Sequence, residues 1–165
     1  MARILFGLLL FTAAMIQAVT LPSLHVLSVL PDLVLILLLV WSALRGTVEG
    51  LAWVFAAGLL LDILALDPLG TNGLALLIVV ILAGPARRRL LHSGLVFPML
   101  LVIVATMIHA FMLMMLRSDT SAGLPVAAVF RLAFLQALLN SLLVPPIYLI
   151  ANSMNRWMPR DVWKT

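Results

Sequence analysis

Residues 45–73 read RGTVEGLAWVFAAGLLLDILALDPLGTNG, and this stretch decides the fold. Arg45 precedes a mostly apolar run of about 20 residues, the length a helix needs to cross hydrocarbon. One carboxylate, Asp62, sits inside the run. An ionised carboxylate is costly in hydrocarbon, so such residues face a protein interior or a water-filled cavity. Gly58 lies one helical turn before Asp62 on the same side, where a missing side chain lets a neighbouring backbone approach. Asp67-Pro68-Leu69-Gly70 cannot continue a helix and reads as a tight turn. The stretch is therefore read as a membrane helix with a polar, close-packed face near one end.

Composition extends that reading to the whole chain. Of 165 residues, 65% are hydrophobic and only 10% charged, whereas a soluble domain carries about 25% charged residues. Lipid must be the solvent for much of this surface. Helices satisfy every backbone group within hydrocarbon. A β-barrel would need segments of about ten residues alternating apolar and polar, and these runs are continuous and longer. The fold class expected is an all-α polytopic membrane protein, one integral domain over 1–165. A net charge of +4 does not imply nucleic acid, because the cations sit at the ends of apolar runs. The absence of cysteine excludes disulfides, thiolate metal sites and a cysteine nucleophile.

In chain order the expected spans are 4–22, 31–44, 47–66, 71–86, 95–116 and 125–150, with 151–165 as a tail. The competing reading of span one is a cleaved signal peptide, but its apolar run is long for one. Pro31-Asp32 should open the second helix, proline in its first turn and Asp32 at the positive end of its dipole. Residues 22–30, with His25, are left as an outer connection. Pro145-Pro146 should kink or break the last turns of span six. Six spans put both termini on one side. That side receives Arg3, Arg45, Arg87, Arg88, Arg89, Arg156, Arg160 and Lys164, and the other Arg117 and Arg131. Eight cations against two place both termini in the cytoplasm.

Three polar residues then fall at similar depth. Asp62 is roughly 6 Å from the outer end of its span, and Arg131 and His109 roughly 9–11 Å from theirs, at 1.5 Å per residue. A pairing of Asp62 with Arg131, with His109 as a third member, would lower the cost of each; the simpler reading has Arg131 snorkelling to the headgroups. Asp62 reads first as a carboxylate that fixes helix packing, and second as an ion relay or ligand contact. Gln136 and Asn140, four apart, share a face and should hydrogen-bond between helices. The nine methionines read as adaptable packing. No metal pair of the H-E-x-x-H type, no phosphate-cradling loop and no G-x-S-x-G elbow occurs, and Ser93-Gly94 beside His92 lacks an orienting acid nearby. No enzyme, cofactor or metal is expected.

The order of features resembles the bacterial rod shape-determining MreD family. The residues that carry it are Pro31-Asp32 opening PDLVLILLL, then Arg45-Gly46, Glu49-Gly50, Gly58 and Asp62 in GLLLDIL, and Pro68-Leu69-Gly70. The resemblance covers 31–73 by motif and the rest by length and span count. It implies a small cytoplasmic-membrane subunit of the elongation machinery that binds MreC. The wider assembly would include RodA, a class B penicillin-binding protein and MreB, and the activity would be regulation of lateral peptidoglycan synthesis and cell shape. Pro31, Asp32, Gly50, Gly58, Asp62, Pro68, Gly70, His109 and Arg131 are the candidates for structural or partner-contact roles.

The resemblance also implies a six-helix shape like that of the substrate-binding subunits of energy-coupling-factor vitamin transporters. A vitamin-binding subunit is therefore the alternative function. Ala14 to Ala18 fits the A-x-x-x-A docking pattern of those subunits, and a pocket would draw on Asp62, His109, Arg131, Asp67 and Asn72.

Overall fold

In the computed structural model, residues 2–20, 29–92, 96–116 and 126–156 are described, and among them there is no strand. Six helices follow in order: α1 (Ala2–Met15), α2 (Leu33–Arg45), α3 (Thr47–Ala65), α4 (Thr71–His92), α5 (Val96–Leu116) and α6 (Val126–Arg156). A π-helical turn, Ile16–Thr20, extends α1. The connection holding His25, the Ser93-Gly94 step, Arg117 and the tail beyond Arg156 lie outside the described residues.

The bundle is built around α2. Every residue from Val34 to Leu44 is buried, and all five other helices touch α2. A helix apolar all round belongs in a core. At 1.5 Å per residue α2 spans only about 20 Å, short of a hydrocarbon layer of about 30 Å. The outward faces stay apolar: Phe55 is 78% exposed and Leu142 69%. Among the described residues, three helices are long and apolar enough to cross a membrane, Thr47–Ala65, Val96–Leu116 and Ala127–Met154. Arg3–Val19, Leu33–Arg45 and Thr71–Ile81 are shorter apolar stretches.

Several boundaries differ from expectation. Pro31 stands before the helix rather than in its first turn, because Asp32 takes the N-cap position and accepts from Leu35 N–H. α4 continues past residue 86 through the arginine triplet to His92, as cations near a helix C-terminus favour. α6 runs unbroken through Pro145-Pro146 to Arg156. Two prolines cost two backbone donors, a loss that membrane helices absorb through their neighbours and small local adjustments.

The packing is close where glycine permits it. Gly46 alone joins α2 to α3, with φ 112° and ψ 160°, a region essentially reserved for glycine. One turn on, a Cβ at Gly50 would lie 2.6 Å from Ser42 Oγ. At the other end of α3 a Cβ at Gly58 would collide with the backbone of Gly73, whereas one at Gly73 would meet its nearest atom, Gly58 Cα, at an ordinary 3.9 Å. Near Gly50, Phe6 stacks on Trp41 at 4.0 Å and meets Trp53 edge-on at 5.3 Å. Trp41 is thus buried in the core.

Candidate functional site

Polar atoms inside the bundle gather at two helix starts, each held by a carboxylate. The first is the start of α4. Asp62, on α3, is 1% exposed. Its Oδ2 accepts from Gly70 N–H at 2.6 Å, and its Oδ1 from Asn72 N–H at 2.9 Å and Asn72 Nδ2 at 2.8 Å. The first amides of a helix have no partner within it. Here a side chain from the preceding helix does the work of an N-cap, and its charge sits at the positive end of the α4 dipole. The chain reaches this position because Leu66 adopts the left-handed conformation (φ 56°) and Gly70 also takes positive φ (96°). Asn72 Nδ2 also donates to Asp67 Oδ2 at 3.0 Å. The contact of Gly58 with Gly73 brings α3 and α4 together just beside these bonds.

The second is the start of α2, where Asp32 is 3% exposed. Asp32 Oδ1 accepts from Leu35 N–H and from Gln17 Nε2, both at 3.0 Å. Gln17, in the π-helical turn, takes Val34 N–H on its Oε1 at 3.1 Å. The N–H of Asp32 donates to Asn140 Oδ1 at 2.8 Å, and Asn140 Nδ2 donates to Thr106 Oγ1 at 2.9 Å. His109 Nδ1 lies 3.1 Å from Asp32 Oδ2, while its Nε2 is buried without a hydrogen-bond partner. Side chains from α1, α5 and α6 therefore converge on the first turn of the central helix. Buried amides demand such partners.

Of the two readings of Arg131, this arrangement rules out the pairing with Asp62 and His109 and leaves the one without a buried partner. Asp62 bonds to residues 70–72, and His109 pairs with Asp32 on a different helix. Arg131 is exposed. Similar depth in the bilayer did not mean proximity, because depth leaves the direction around each helix undetermined. Asn140 bridges helices as its position on α6 suggested. Gln17 and Thr106 were missed. Gln17 had a signal, an amide inside an apolar run; Thr106 had none. Of the remaining candidates, Pro31 is half-buried and Pro68 exposed, and Gly50 is the point where α3 meets Ser42 and Val80.

A groove of about 370 Å³ runs between α3 and α4, lined mostly by apolar side chains such as Phe55, Leu59 and Leu77, with Asp62 among them. Among the described residues, no three His, Asp or Glu side chains are grouped so as to hold a metal.

Membrane-length apolar helices wrapped on a short central one, with carboxylates tying two helix starts, define an all-helical membrane protein. The chain belongs to the rod shape-determining protein MreD family, whose family model matches residues 1–154. Comparison with curated proteins and with solved structures returned no match. The family makes it a rod shape-determining membrane protein, and extends a likeness read from residues 31–73 to nearly the whole chain.

Proposed function

We propose that this chain is a non-enzymatic subunit of the bacterial elongation complex. It crosses the cytoplasmic membrane six times with both termini inside, binds MreC and helps regulate lateral peptidoglycan synthesis. RodA, a class B penicillin-binding protein and MreB belong to the same assembly in this reading. The family match supports the assignment to shape determination. Within it, the observation that carries a binding role is where the buried polar groups are used: Asp62 and Asp32 tie helices together, and the faces turned outward are apolar. Helices meeting in lipid associate by close packing and interhelical hydrogen bonds, so an apolar lateral face suits a partner that is itself a membrane helix. The distribution of cations supports the topology.

A vitamin-binding subunit gains no support from the geometry. Asp62 bonds Gly70 and Asn72, His109 pairs with Asp32 and Arg131 is exposed, and Ala14 is fully buried in the core rather than offered for docking.

Cell shape tests the proposal. In a rod-shaped bacterium depleted of its own family member, this chain supplied with its cognate MreC should return spherical cells to rods. Cells that stay spherical despite normal membrane levels of both proteins would count against it.

A further inference from the structure

The end of α2 away from Asp32 carries donors that have no hydrogen-bond partner among the described residues. Arg45 closes α2, and its Nε and Nη2 are both buried without a hydrogen-bond partner. These nitrogens form the side-on edge of the guanidinium, whose parallel N–H bonds match two oxygens of one phosphate or carboxylate. Within one turn of Arg45, the buried Trp41 Nε1 and Ser42 Oγ are also unpartnered, and the Arg45 guanidinium carbon lies 5.9 Å from the Trp41 ring centre. Glu49 does not fill the fork. Its Oε1 lies 3.4 Å from Arg3 Nε, an ion-pair distance, and has no hydrogen bond of its own.

Arg3, Arg45 and Glu49 together carry one net positive charge. Unmet buried donors and acceptors are costly, so a guanidinium fork and a carboxylate oxygen without hydrogen bonds at one end of a bundle point to a missing ligand. That ligand has paired oxygens for Arg45, a net charge of −1, and a hydroxyl to donate to Glu49. Arginine at the end of a membrane helix lies at headgroup depth.

We propose that this end of the bundle binds one anionic phospholipid with a hydroxyl-bearing headgroup, its phosphodiester on the Arg45 fork and its hydroxyl on Glu49. The inference stands apart from MreC binding and from the complex.

Native mass spectrometry of the full chain in detergent tests it, with phosphatidylglycerol, phosphatidylcholine and glycerol 3-phosphate as probes. Wild type should retain one phosphatidylglycerol about tenfold more tightly than phosphatidylcholine. Arg45→Gln should abolish that preference, and Arg45→Lys, which keeps the charge without the fork, should reduce it. Equal retention of the two lipids by wild type would overturn the proposal. So would a preference unchanged in Arg45→Lys, or glycerol 3-phosphate binding as tightly as phosphatidylglycerol, which would make the occupant a soluble phosphate ester. The wild-type comparison stands even if Arg45→Gln fails to fold.

Discussion

Asp62→Ala is expected to destabilise the protein by about 3–5 kcal/mol, a large share of the stability of an ordinary domain. Three donors lose their acceptor at once: Gly70 N–H, Asn72 N–H and Asn72 Nδ2. Each stranded buried donor costs about 1–3 kcal/mol. The total stays below the maximal sum because Asn72 Nδ2 keeps Asp67 and Gly70 is only half-buried. Asp62→Asn keeps one acceptor oxygen but turns an NH₂ toward the remaining donors, so it should lose about half as much. The same joint has a steric control. Gly58→Ala drives a Cβ into the Gly73 backbone and should also be severe. Gly73→Ala finds ordinary contact and should change stability by less than about 1 kcal/mol. Thermal unfolding in detergent reads all four variants. Equal effects at Gly58 and Gly73, or a neutral Asp62→Ala, would show that this joint does not hold α3 to α4.

His109→Leu should cost about 3 kcal/mol for a different reason: it takes the basic partner from a buried carboxylate, which keeps only Leu35 N–H and Gln17 Nε2 on its other oxygen. Among the described residues, His109 is the one basic side chain paired with Asp32. Asp32→Asn keeps an oxygen for Leu35 N–H and removes the charge. His109→Leu made on top of Asp32→Asn should therefore cost less than it does in wild type, with a coupling of about 1–3 kcal/mol. Unfolding of the two single variants and the double variant gives that coupling. Strictly additive losses would mean that Asp32 and His109 act independently and that the pair is not what seats α2.

Much of this was legible in the sequence, for reasons specific to each element. The helices showed because continuous apolar runs bounded by Arg45 and Asp67-Pro68 leave little choice of secondary structure. Asp32 showed as a helix start because Pro-Asp before an apolar run has one common meaning. The centre of the bundle did not show. α2 is apolar all round, but in a membrane protein a lipid-facing helix has the same composition, so PDLVLILLL does not reveal its own burial. The partners of the carboxylates were hidden for a related reason. Asp62 bonds backbone amides at Gly70 and Asn72, and a backbone donor has no letter in the sequence. The Asp32–His109 pair joins residues 77 positions apart whose depth was readable and whose facing was not. Gly46 fell between the expected spans 31–44 and 47–66, but the positive φ that makes it a one-residue joint between α2 and α3 was not readable.

The most direct test of the role in shape determination is capture of MreC. This protein, co-expressed with its cognate MreC and purified in detergent, should retain MreC at a fixed ratio. A folded Gly73→Ala variant should retain it equally. Wild type that captures no MreC, but copurifies with a transporter membrane subunit or a bound vitamin, would contradict the assignment and put the uptake function in its place.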